Sequence, residues 1–86
     1  MKIKSYESIL SETLALVGKT LNIQHQLSAT SSFTRDLALD SFQMIELIGL
    51  LERHFQIKIP VERFFEIETI EDAVRMVLAR GAYAAA

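Results

Sequence analysis

The chain has 86 residues, 50% hydrophobic and 23% charged, with 3 Gly and 1 Pro, which makes it a single small globular domain rather than a disordered or fibrous chain. The absence of Cys excludes disulfides, thiolate metal sites and cysteine nucleophiles, so stability has to come from helix packing. With 9 Lys+Arg against 11 Asp+Glu the net charge is −2, so there is no basic excess to neutralise nucleic-acid phosphates.

From about Ser5 to Leu21, the residues Tyr6, Ile9, Leu10, Leu14, Val17 and Leu21 recur at offsets of three and four, one face of an amphipathic helix whose end Gly18 weakens. Asn22 to Ser32 reads as a polar connection anchored by Ile23 and Leu27. The strongest helix follows Asp40-Ser41: Phe42, Ile45, Ile48, Leu51 and Phe55 form a row that Leu47 and Leu50 widen. Asp40 complements the positive end of its dipole, and a serine in Ser41's position ordinarily supplies an N-cap hydroxyl. This helix should stop near His54 to Gln56, because Ile57-Lys58-Ile59-Pro60 looks extended and Pro60 biases Ile59 away from helix.

Val61 to Glu66 is a short segment of one or two turns. Thr69 and Asp72 then have the spacing of a capping box. Ala73, Val74, Val77 and Leu78 supply the inner face of a last helix that Gly81 should end, leaving 82–86 as a frayed tail. The expected architecture is all-α: one domain over residues 1–86, a small four-helix bundle of three long helices and one short third helix.

No stretch approaches the roughly 20 apolar residues of a membrane span, and no signal-peptide core follows Met1 to Glu7. The expectation is a cytoplasmic protein without stable membrane insertion. Gly18-Lys19-Thr20 resembles the end of a phosphate-binding loop, but the glycine required five residues earlier is Thr13, and helix-end chemistry explains the tripeptide. His25 and His54 stand apart from any ligand-spaced carboxylate cluster, so no metal site is expected. Ser41 has no His–Asp apparatus to activate it, and no catalytic set is visible elsewhere.

Phe33-Thr34-Arg35-Asp36-Leu37-Ala38-Leu39-Asp40-Ser41-Phe42 resembles the attachment motif of acyl carrier proteins, in which an aromatic precedes Asp-Leu-Gly and then Asp-Ser-Leu. The likeness runs without a gap through Glu46-Leu47, Leu51-Glu52, Phe55, Ile59-Pro60, Ile67, Thr69, Ile70 and Ala73, covering roughly Phe33 to Val77. The resemblance implies that Ser41 carries 4′-phosphopantetheine, taken from coenzyme A by a phosphopantetheinyl transferase. The arm then ends in a thiol, which this cysteine-free chain lacks. Acyl groups would ride on it as thioesters between acyl-loading and acyl-transferring enzymes, and the chain itself would be a monomeric carrier and not an enzyme.

The resemblance further implies that partners dock on the second helix, where Asp36, Asp40, Glu46 and Glu52 match common acidic positions. An acyl chain folding back would enter between helices at Ile45, Gly49, Leu50, Ile59 and Ile67, with Gly49 widening the route. Departures from the pattern are Ala38 for Gly, Phe42 for Leu, Gln43 and Arg53 at frequently acidic positions, and the pair Phe64-Phe65. At least one of those two rings should pack inward. The weak net charge and these departures favour a specialised lipid, polyketide or related pathway over housekeeping fatty-acid synthesis. Leu39-Asp40-Ser41-Phe42 also resembles the motif of aminoacyl and D-alanyl carriers, which stays open as an alternative. A non-carrier interaction module is the reading from another class, and the intact Asp40-Ser41 pair counts against it.

Overall fold

Every long helix begins at a side chain that satisfies backbone N–H groups its own ladder leaves free. In the computed structural model, which describes residues 5–23 and 26–80, α1 spans Tyr6–Leu21, α2 Ser41–Phe55 and α3 Ile70–Ala79, with a 3₁₀ helix over Val61–Glu66 before α3. Ser5 Oγ accepts from the Ser8 N–H at 3.1 Å. Asp40 and Gln43 form a reciprocal box, the Gln43 N–H donating to Asp40 Oδ1 at 2.8 Å and the Asp40 N–H to Gln43 Oε1 at 3.1 Å. Thr69 and Asp72 form the second box, with bonds of 3.1 and 3.0 Å. Each box satisfies two donors at once.

Termination follows the same logic. Asn22 and Gln56 close α1 and α2 in the left-handed conformation, both at φ 55°. Gly18 therefore lies inside α1, and its carbonyl accepts from the Ile23 N–H at 2.9 Å. Pro60 starts the 3₁₀ helix with φ −60°, the value its ring enforces. Gly81, expected to end α3, the tail 82–86 and His25 lie outside the described residues.

α1 packs directly on α3. Ile9 and Val17 from α1, Leu47, Ile48 and Leu51 from α2, and Ile70, Val74 and Val77 from α3 are all buried in one core. Two expectations about helix faces need correction. The centre line of α1 runs through Ile9, Thr13 and Val17, while Tyr6, Leu10, Leu14 and Leu21 flank it half-buried. Thr13 is fully buried and its hydroxyl has no hydrogen-bond partner, a position that apolar periodicity alone does not reveal.

The second correction concerns α2. Phe42 and Ile45 are 67% and 55% exposed, so the expected row is not one core face. Each step of three residues falls about 60° short of a full turn at 3.6 residues per turn. A row spaced by threes therefore winds around the helix. Its C-terminal members, Ile48, Leu51 and Phe55, reach the core, and its first two are carried round to solvent.

Candidate functional site

The segment leading into α2 is held by its own side chains and by the start of α3. The Phe33 N–H donates to the Glu68 carbonyl at 2.8 Å, and the Ile70 and Glu71 N–H groups reach back to Ser31 and Ala29 at 3.1 and 2.8 Å. Ser32 and Thr69 form an isolated antiparallel bridge between the same segments. The Phe33 ring is fully buried and anchors the turn to the core. Asp36 Oδ2 then accepts from the Ser32 N–H at 2.7 Å, and the Leu39 N–H closes on the Phe33 carbonyl at 2.9 Å.

Within this segment Ala38 takes the left-handed conformation, at φ 56°. A Cβ in this region costs roughly 1–2 kcal/mol through its clash with the following carbonyl oxygen. Glycine carries no such penalty, which explains on physical grounds why the pattern Ala38 departs from has Gly there.

Ser41 is the first residue of α2 and is exposed. The cap is Asp40, not Ser41, so the ordinary N-cap explanation of the serine does not apply. Among the described residues the Ser41 hydroxyl makes no hydrogen bond, and neither do the backbone N–H groups of Ser41 and Phe42. A free hydroxyl thus sits beside unpaired N–H donors at the positive end of the α2 dipole, an arrangement suited to a phosphodiester. These residues fit a phosphopantetheine group attached at Ser41.

Ser41 also lies on the rim of an apolar groove of about 600 Å³, lined mainly by Leu39, Met44, Ile45, Ile48, Phe64 and Ile67, with Val61 and Phe65 at its edge. Met44, Ile45 and Ile48 share one flank of α2 with Ser41. Of the two 3₁₀-helix rings, Phe64 packs against the core and Phe65 is 94% exposed. A smaller groove of about 300 Å³ occupies the opposite flank of α2, lined by Gln43, Glu46, Leu50 and Arg53 together with Thr20 and Leu21 of α1.

The five residues expected to admit an acyl chain are therefore dispersed. Ile45 and Ile67 line the groove at Ser41, Leu50 lines the other one, and Ile59 is buried in the core. Gly49 lines neither groove, and a Cβ there would meet only Arg53 Nη1, at 3.7 Å. Met44, Val61 and Phe64 were not singled out as groove residues from sequence. Val61, an apolar side chain just past Pro60, was the readable clue.

The four acidic residues expected to meet partners divide as well. Asp36 holds the Ser32 N–H, Asp40 caps α2, and Glu52 Oε2 accepts from the Ile59 N–H at 2.7 Å. Only Glu46 is exposed with a carboxylate that has no partner among the described residues. Glu12 and His54 join α1 to α2 at 3.2 Å. Gly18-Lys19-Thr20 forms the last turn of α1, and no group of three or more metal-ligating side chains exists among the described residues.

A helical bundle presenting a free serine at the N-terminus of α2, over an apolar groove, is the form of a carrier domain. The family model for the phosphopantetheine attachment site matches residues 11–77. The chain is 35% identical to an acyl carrier protein of Prochlorococcus marinus (strain MIT 9515), over 88% of this chain and 96% of that protein. It is 34% identical to one of Cyanidioschyzon merolae, over 84% and 80%, and 35% identical to one of Brachyspira hyodysenteriae, over 81% and 92%. The chain belongs to the acyl carrier protein family and is a carrier rather than an enzyme. Its prosthetic group is covalent 4′-phosphopantetheine, and its partners are a phosphopantetheinyl transferase and acyl-handling enzymes. No described helix is long and apolar enough to cross a membrane.

Proposed function

We propose that Ser41 is the attachment residue and that the carrier's cargo is an aliphatic acyl group. The observation that carries the assignment is the free, exposed Ser41 hydroxyl at the first position of α2, released from capping by Asp40 and set beside unpaired N–H groups. Within a transferase complex, Ser41 Oγ attacks the phosphorus that bears the pantetheine of coenzyme A. One P–O bond forms to the serine as another breaks to release adenosine 3′,5′-bisphosphate, and the serine proton passes to a base of the transferase. Once attached, the group supplies a thiol that forms thioesters with acyl groups. The Ser41 and Phe42 N–H groups then stand where they stabilise the phosphodiester.

The apolar lining of the groove at Ser41 supports a hydrocarbon cargo rather than an aminoacyl one, since Ile45, Ile48 and Ile67 offer such a chain contact without a polar partner. The carrier works as a cytoplasmic monomer in fatty-acid, lipid or polyketide synthesis. Of the four acidic residues Asp36, Asp40, Glu46 and Glu52, Glu46 is the one left to partner enzymes, because the other three each hold a backbone N–H.

Intact-mass spectrometry after incubation with coenzyme A and a broad-specificity transferase tests the assignment. The wild-type chain should gain one phosphopantetheine, and Ser41→Ala none while keeping its helical circular dichroism. Modification that persists in Ser41→Ala would overturn it.

A further inference from the structure

The large hydrophobic side chains exposed among the described residues are Phe42, Ile45, Val61 and Phe65, at 67%, 55%, 70% and 94%. All four are gathered at one place. Ile45, Val61 and Phe65 line the groove whose rim holds Ser41, and Phe42 is the next residue in the chain. Single exposed apolar residues scattered over a surface need no explanation, but their convergence on one functional atom marks an interaction site.

Part of the charge at this end of the molecule is already engaged within the chain. The first turn of α2 carries no acidic residue beyond its cap, and the Asp40 and Asp36 carboxylates are engaged with backbone N–H groups. On the 3₁₀ helix, Glu66 is paired with Arg63 at 3.2 Å. Among the described residues the carboxylates of Glu62, beside Val61, and of Glu68, in the groove lining, have no partner, so the collar pairs four large exposed apolar side chains with acidic groups next to them.

The occupant follows from the chemistry of attachment. Enzymes that act on the finished arm meet its thiol at a distance from Ser41 and need not cover the collar. The enzyme that installs the arm finds no arm. It has to bring its catalytic groups and coenzyme A to within bonding distance of Ser41 Oγ itself, so its surface falls directly on the residues around that atom. We propose that the phosphopantetheinyl transferase docks on the apolar collar of Phe42, Ile45, Val61 and Phe65, with Phe65 of the 3₁₀ helix as the central anchor, and that this encounter is governed by apolar burial more than by charge. This rests on Ser41 being the attachment residue.

An aromatic side chain free to enter a desolvated pocket is the type of group that dominates binding energy at interfaces. Charge instead governs association rate and salt sensitivity. The two are separable by steady-state kinetics of arm transfer from coenzyme A by a broad-specificity transferase. Phe65→Ser should raise KM for the carrier by about tenfold or more with kcat nearly unchanged, a size in keeping with loss of an anchor residue. Phe42→Ser and Val61→Ser should each raise it several-fold. For the wild type, kcat/KM should change by less than about threefold as salt rises from about 0.01 to 0.1 M, which shortens the screening length from about 30 to 10 Å. Glu46→Lys should raise KM less than Phe65→Ser does.

Circular dichroism shows whether the variants stay folded, which their exposure leads us to expect. If the wild type is modified but KM is indifferent to all three apolar substitutions, or falls into line only with salt and Glu46→Lys, the docking proposal is overturned and the Ser41 assignment stands. If the wild type takes up no arm at all, both are overturned together.

Discussion

α2 is one helix with two different fates along its length. Its C-terminal half places Leu47, Ile48, Leu51 and Phe55 in the core, while its N-terminal half leaves Phe42 and Ile45 in solvent beside Ser41. The two halves are similar in apolar content, so hydrophobicity does not separate them. What separates them is geometry: which side chains face α1 and α3, and which the winding of the helix carries away. Apolar surface in the C-terminal half stabilises this fold, and apolar surface in the N-terminal half is available to something else.

The comparison breaks most decisively at paired positions. Leu51→Ala in the core half should cost about 2–5 kcal/mol, the range for truncating a buried leucine, measured by urea unfolding. Ile45→Ala should stay within about 0.5 kcal/mol, as exposed substitutions do. A similar loss in both would mean that the exposed half is structural after all. Next in size is the junction itself: Asp40→Ala should cost about 1 kcal/mol through loss of the N-cap, and Ser41→Ala much less. Equal costs would place the capping role on the wrong residue.

A smaller effect in the opposite direction is expected just upstream. Ala38→Gly relieves the left-handed strain of roughly 1–2 kcal/mol but restores chain entropy worth about 0.5–1 kcal/mol to the unfolded state. The net gain should be about 0.5–1 kcal/mol, visible as a rise in thermal midpoint of a few degrees. Phe65→Ser should change stability least, within about 0.5 kcal/mol, so any large effect on arm transfer is separable from folding.

How much of this was legible in the sequence depended on how local the cause was. The Thr69–Asp72 box, the stop before Pro60 and the three long helices are written in residues a few positions apart, and all could be read. Ser41 was legible because its neighbours form a recognisable motif, although the identity of the cap was not, since Asp40 and Ser41 are both good capping residues. The tasks of Asp36 and Glu52 were hidden, because the N–H groups of Ser32 and Ile59 are left for them only once the loops have folded. The exposure of Phe42 and Ile45 was hidden for a similar reason: apolar spacing marks a face but does not say whether this chain or another covers it.

The hydrogen bond from Phe33 to Glu68, with its neighbours on either side, has a mechanical consequence. It works as a clasp. The stretch from Thr34 to Ile67, which contains Ser41, all of α2 and the 3₁₀ helix, is a loop fastened at its base onto the start of α3. All of the residues that line the groove except Glu68 belong to that loop, whereas α1 packs on α3 outside it, so the groove can open by a displacement of the loop alone. Partial opening of this kind is sub-global, with its own free energy below that of complete unfolding. Amides of the 3₁₀ helix should then exchange with solvent deuterium faster than those at Val74 and Val77, so that the part of the carrier that meets other proteins is the part free to give way.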